Sequence, residues 1–295
     1  MGTGIYSSPV RPPSLLAPLA AAVLAMLSLQ FGASLAKSLF PAVGPTGATT
    51  LRLVLAALML GALYRPWRGP LPRRHAAALL GYGVTLGLMN HCYYLALARA
   101  PMGVVVAIEF LGPLSVATFA SRRAIDGLWI ALAALGLLLL TPLAHDAAPL
   151  DPLGIVYALL AGACWGLYIV FGTRVGAELG ARSVAAGMII AALLVLPFGA
   201  GAAGAALLNV AVIPLALVVA LLSSALPYVL EMYAMTRIPT RTFGILMSLE
   251  PALAALVGLV MLGERLRAPQ WLAVGCVMLA SFGSAMTTGR VSEGR

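Results

Sequence analysis

The stretch VVVAIEFLGPLSVATF, Val104–Phe119, is apolar except for one carboxylate, Glu109, with Pro113 four residues further on. Its surroundings decide how it folds. The chain has 295 residues, 62% hydrophobic and 9% charged, with a mean hydropathy of +1.02. Soluble domains carry about 25% charged residues. This chain lacks the charge to coat a water-facing surface and reads as an integral membrane protein. Its apolar runs are about 17–23 residues long, which suits helices crossing a hydrocarbon core of roughly 30 Å. The period-two alternation of membrane barrel strands is missing. The expected fold is therefore all-α, with ten membrane helices at 15–36, 45–64, 76–97, 101–120, 125–143, 152–172, 183–199, 207–232, 240–262 and 269–287. Several start with a proline, whose missing N–H costs nothing in a first helical turn.

The net charge of +9 comes from 17 Arg, one Lys and nine acids. In a membrane protein such cations mark cytoplasmic loops rather than a nucleic-acid partner. The loop RPWRGPLPRRH (65–75), Arg122, Arg123, Arg174, Arg182, Arg237, Arg241 and the terminal Arg11, Arg290 and Arg295 all fall on one side of the ten spans. Lys37, Arg52, Arg99, Arg265 and Arg267 are left on the other. This bias puts both termini in the cytoplasm, with short tails at 1–14 and 289–295. The first apolar run is too long for a signal-peptide core and reads as a membrane helix. Cys92, Cys164 and Cys276 lie in apolar segments, with neither metal-site spacing nor a disulfide framework.

LALARAP (95–101) aligns with YAMTRIP (233–239) at an offset of 138. The same offset pairs Arg99 with Arg237, Pro101 with Pro239, Pro113 with Pro251 and Asp126 with Glu264. The chain thus divides into two five-helix halves, 15–144 and 152–288, joined through HDAAPLDP (145–152). Five is odd, so the halves enter the membrane from opposite sides. Transporters built this way place the substrate site between the repeats, near the bilayer midplane.

Three acids fall inside spans: Glu109, Glu231 and Glu250. Each costs roughly 2.5–3.5 kcal/mol at a helix centre on insertion scales, so each should face the bundle interior or a wet cavity. For Glu231, a place at the interface remains open. Pro113, Pro227 and Pro251 have no N–H and free the carbonyls of Glu109, Ser223 and Met247, four residues back. Such carbonyls are tolerated at membrane depth where protein or water satisfies them. Structural kinking alone would also account for these prolines. Gln30, Ser34 and Lys37 share a face of span one, although Lys37 can equally reach the interface. Asn90, Tyr93 and Tyr94 cluster on span three beside His91, which has no clear role. Trp165 and Tyr168 on span six, and Ser224, Tyr228 and Glu231 on span eight, complete a set able to wall a cavity for a small zwitterion. A carboxylate able to gain and lose a proton is what proton coupling requires. No metalloprotease, serine-hydrolase or P-loop signature is present, which argues against an enzyme and against ATP as the driving force. No metal or cofactor is expected.

Three segments carry a resemblance: GASLAKSLFP (32–41), EFLGPLSVATFASRR (109–123) and SALPYVLEMYAMTRIPTRTFGILMSLEPALAALVGL (224–259). Through them the chain, over about 15–287, resembles the drug/metabolite transporter superfamily with its tandem EamA-type repeats, and within it the amino-acid exporters of the bacterial inner membrane. That resemblance implies ten helices in an inverted repeat and export of L-threonine and L-homoserine driven by the proton-motive force. Relatives that handle drugs or other metabolites keep a broader exporter open. The expected partners are the amino acid, protons and membrane lipid, with room for a homodimer.

Overall fold

In a computed structural model of the protein, residues 16–68, 73–121, 125–140, 151–235, 237–238 and 240–288 are described. Both terminal tails, Arg122 and Arg123, and most of the linker 145–152 lie outside them. The described residues form helices and their connections, with no strand among them. This follows from the composition: in a hydrocarbon surround a helix satisfies its own backbone polar groups, whereas an open strand cannot.

The helices are α1 (Leu16–Lys37), α2 (Phe40–Tyr64), α3 (Ala76–Leu97), α4 (Met102–Glu109), α5 (Leu111–Ser121), α6 (Asp126–Leu140), α7 (Pro152–Leu179), α8 (Ala181–Ala203), α9 (Ile213–Ala220), α10 (Leu226–Met235), α11 (Thr240–Met247), α12 (Glu250–Leu262) and α13 (Ala268–Thr288). Among the described residues, seven helical stretches are long and apolar enough to cross a membrane: Leu16–Lys37, Phe40–Arg68, Pro152–Gly176, Ala181–Leu208, Ile213–Ala234, Thr242–Leu262 and Ala268–Thr287. Met102–Val116 and Gly127–Leu139 are shorter apolar helices. Leu24, Leu58, Leu193, Val260 and Leu279 point outward from the bundle, as lipid-facing side chains do.

Several expected boundaries move. The sixth span runs on to Leu179. The eighth starts at Ile213 rather than 207, because the Asn209 side chain accepts the Ala211 N–H in a tight turn and Pro214 opens the helix behind it. The second span begins with a separate turn at Phe40, kinked at Gly44 (φ 67°), a conformation only glycine adopts without strain.

An irregular turn precedes each of the three prolines. The helix breaks at Phe110, between α4 and α5, three residues before Pro113. It breaks again at 248–249, between α11 and α12, three residues before Pro251. Before Pro227 the turn widens into a π-helical segment, Leu221–Ala225.

Helix α3 packs on α7, α10 on α1, α2 on α8, α4 on α12 and α6 on α13. Small residues allow the closest approaches, as is usual where helices meet in lipid. A Cβ at Gly32 of α1 would stand 2.6 Å from the Ser223 backbone nitrogen. One at Gly162 of α7 would stand 2.5 Å from the Glu109 carbonyl oxygen. The carbonyl freed by Pro113 is thus pressed against the bare backbone of α7.

Candidate functional site

One cavity lies among α1, α2, α3, α4, α7, α10 and the α11–α12 break. Its wall holds Gln30, Asn90, Tyr93, Glu109, Trp165, Tyr168, Tyr228, Glu231 and Glu250, together with Pro227. Ala25, Met26, Leu29, Met89, Val106 and Met247 supply its apolar surface. Glu231 is on this wall, which answers whether it faces the cavity or the interface.

The helix breaks position the acids. Glu109 is the last residue of α4, 7% exposed, and its neighbour Phe110 meets Trp165 edge-on at 5.2 Å. Glu250 opens α12, 4% exposed, where the first-turn N–H groups favour a carboxylate. Gln30 Nε2 donates to Glu250 Oε1 at 3.3 Å, joining α1 to α12. Two aromatics of the wall, Tyr168 and Tyr228, belong to a chain of rings that starts at Tyr82 outside it. Tyr82 stacks on Tyr168 at 4.8 Å with their hydroxyls 3.2 Å apart, and Tyr228 follows at 6.4 Å from Tyr168.

The remaining residues proposed from the sequence lie elsewhere. Ser34 is buried on α1 but is not on the cavity wall. Lys37 is not on it either: its Nζ pairs with Glu264 Oε1 at 2.6 Å. Lys37 needed a partner, and that partner is 227 positions away in sequence. Pro113 and Pro251 are not on the wall, and His91 stacks on Phe198.

Arg52 is the residue that sequence reasoning misplaced. It is not a loop cation: it is 1% exposed, within α2, and it lines the cavity. Its Nη1 donates to the Ser223 carbonyl at 3.1 Å. That is the carbonyl freed by Pro227, so a cation from α2 fills the place of the missing N–H. Its Nη2 donates to Asn90 Oδ1, and its guanidinium lies 4.5 Å from the centre of the Tyr94 ring. Asn90 also donates to the Leu86 carbonyl at 2.8 Å, which fixes its amide. The signal was available. Arg52 lies seven positions inside the span expected at 45–64, and an ionisable group there carries the same insertion cost as the acids.

The two ends of the bundle are tied differently. At one end Glu264 accepts from Lys37 of α1 and, through Oε2, from the Met102 N–H that opens α4, at 2.7 Å. The left-handed turn at Gly263 folds Glu264 back over Gly258, where a Cβ would lie 2.7 Å from the carboxylate. Nearby, Arg99 pairs with Asp151 at 3.3 Å. At the other end Glu178 accepts from Arg74 at 2.6 Å and lies 2.9 Å from His75 Nε2. The Arg74 hydrogen bond holds this exposed carboxyl below its ordinary range.

Comparison with known proteins agrees with this architecture. The EamA-like transporter family matches residues 152–286. The threonine/homoserine exporter RhtA of Escherichia coli (strain K12) is 53% identical over 276 residues, 94% of each chain. Its counterpart from Salmonella typhimurium (strain LT2) is 52% identical over 273 residues, 92% of each chain. A solved crystal structure matches in fold with a TM-score of 0.59 at 20% identity, covering 92% of this chain and 99% of that one. With one cavity walled by helices from both parts of the chain, and relatives more than half identical over nearly its whole length, this multi-pass membrane protein belongs to the EamA-like transporter family.

Proposed function

We propose that the protein exports L-threonine and L-homoserine across the bacterial inner membrane in exchange for protons. The observation that carries this reading is the cavity: three carboxylates, Glu109, Glu231 and Glu250, share it in a chain 53% identical to a threonine/homoserine exporter. Substrate choice rests on that identity and proton coupling on the carboxylates. A proton from outside binds at Glu109 or Glu250. The ammonium group of an amino acid arriving from the cytoplasm competes for the same carboxylate, and the half-reactions alternate.

The frame is ten spans in two inverted halves. The seven long stretches, α3, the α4–α5 pair and α6 make up the ten. The helix breaks at Phe110 and Ser248 stand 138 positions apart, the same offset as the sequence repeat. Packing partners also exchange between halves. Helix α3 packs on α7 as α10 does on α1, while α2, α4 and α6 each pack on their own counterparts, α8, α12 and α13. With Arg52 withdrawn from the loops, 13 of the remaining 17 cations lie on one side, which supports cytoplasmic termini.

Inside-out membrane vesicles with an acid interior test the proposal. Labelled homoserine should accumulate with the pH gradient in wild-type vesicles and not in Glu109→Gln vesicles. Uptake by folded Glu109→Gln protein that still follows the gradient removes Glu109 from the mechanism. No uptake by the wild type discards the substrate assignment.

A further inference from the structure

We infer that Arg52 recognises the carboxylate of the transported amino acid, while the acids of the same cavity compete for its ammonium group. This deepens the exporter reading and rests on it. Among the described residues Arg52 makes no ion pair, although it is almost fully buried. Its partners are an amide oxygen, a backbone carbonyl and an aromatic face, all formally neutral. They orient the guanidinium without neutralising it. A buried cation held this way favours an anion beside it, because taking a charge out of water is costly unless it is paired.

The donors fit that purpose. A guanidinium has five N–H donors in a planar fork that matches a carboxylate with two parallel bonds. Two of the five are used, by Ser223 and Asn90. Nε is buried without a partner, and the side chain borders the cavity. Glu109 and Glu250 border the same cavity. An α-amino acid carries its two charges on groups attached to one carbon, so one small cavity lined by both a cation and acids matches a zwitterion. A substrate with an ammonium group and no carboxylate would leave the spare N–H donors of Arg52 without an acceptor.

The test compares L-threonine with L-threoninol, which keeps the ammonium and side chain but carries an alcohol in place of the carboxylate. Both are assayed as competitors of labelled homoserine transport in proteoliposomes of wild-type, Arg52→Lys and Arg52→Gln protein. Wild type should prefer threonine by on the order of 10–100-fold, the range for hydrogen bonds to charged groups. Arg52→Gln should lose most of that preference. Arg52→Lys, which keeps the charge but not the fork, should retain part of it. Equal competition by threoninol on the wild type overturns the assignment even if the variants fail to fold. So does an undiminished preference in folded Arg52→Gln or Arg52→Lys protein. A wild type that transports neither threonine nor homoserine overturns the exporter reading itself, a result distinct from transport without carboxylate recognition.

Discussion

The contact among Lys37, Glu264 and Met102 joins α1 and α4 to the segment following α12 at one end of the bundle, and under alternating access it must open. Glu264→Gln tests this with little change of shape. The Lys37 and Glu264 side chains are 22% and 15% exposed, so the pair is neither solvated nor fully buried. Exposed pairs contribute about 0.2–1 kcal/mol and hydrogen bonds to charged groups about 1.5–3 kcal/mol. The amide that replaces the carboxylate keeps an oxygen for one of the two donors and loses the charge. The closed arrangement should therefore lose about 1–2 kcal/mol, a shift of roughly 5–30-fold in the ratio of closed to open states. Val106 lines the cavity and is 2% exposed, so Val106→Cys reports the opening in a background where Cys92, Cys164 and Cys276 are replaced. A membrane-impermeant thiol reagent applied from the Lys37 side should label it roughly 5–30 times faster in Glu264→Gln protein. Adding Lys37→Met should bring little further increase, since both changes remove one interaction. An unchanged labelling rate in Glu264→Gln would show that this contact does not hold the end closed.

Three other outcomes follow from the geometry. Gly162→Ala forces a methyl group to 2.5 Å from the Glu109 carbonyl, backbone against backbone, and should cost about 1–3 kcal/mol in detergent-solubilised thermal unfolding; an unchanged Tm would mean that α4 and α7 are free to part. Ser28 Oγ donates to the Leu222 carbonyl at 2.6 Å beside the π-helical turn, so Ser28→Ala should lower stability by about 1 kcal/mol, read the same way, and a gain would contradict the contact. The Glu178 carboxyl has its pKa lowered in the folded state, so its contribution is present above the ordinary carboxylate range and fades as pH falls through the lowered value. Wild-type and Arg74→Gln protein should accordingly differ more in Tm at about pH 7 than at about pH 3, and a difference independent of pH would rule out the ionised carboxylate as its source.

The sequence was most legible where burial carries a penalty. Glu109, Glu231 and Glu250 were found by insertion cost, and they face one cavity. Pro113 and Pro251 announced helix breaks because a missing N–H has a local effect. Helical spacing grouped Asn90 with Tyr93, and Trp165 with Tyr168, correctly on single helix faces. It could not say which faces meet, and so it kept Ser34 and Lys37 with Gln30. Only Gln30 reaches the cavity, since α1 passes beyond it and Lys37 is drawn to Glu264. Arg52 was lost to a rule that treats cations as loop markers. Its acceptors, Asn90 on α3 and Ser223 before α10, are 38 and 171 positions away, beyond any local pattern.

The placement of those two acceptors has a further consequence. Asn90 belongs to the same half of the chain as Arg52, and Ser223 to the other. If the proposed exporter works by rocking the two halves against each other, one anchor travels with the guanidinium and the other departs. In that cycle the cation is oriented in one state and slack in the other, so the grip on a carboxylate depends on which way the protein faces. A single bond to a carbonyl exposed by Pro227 would thereby make affinity a function of direction, as a pump requires if it is to load on one side and let go on the other.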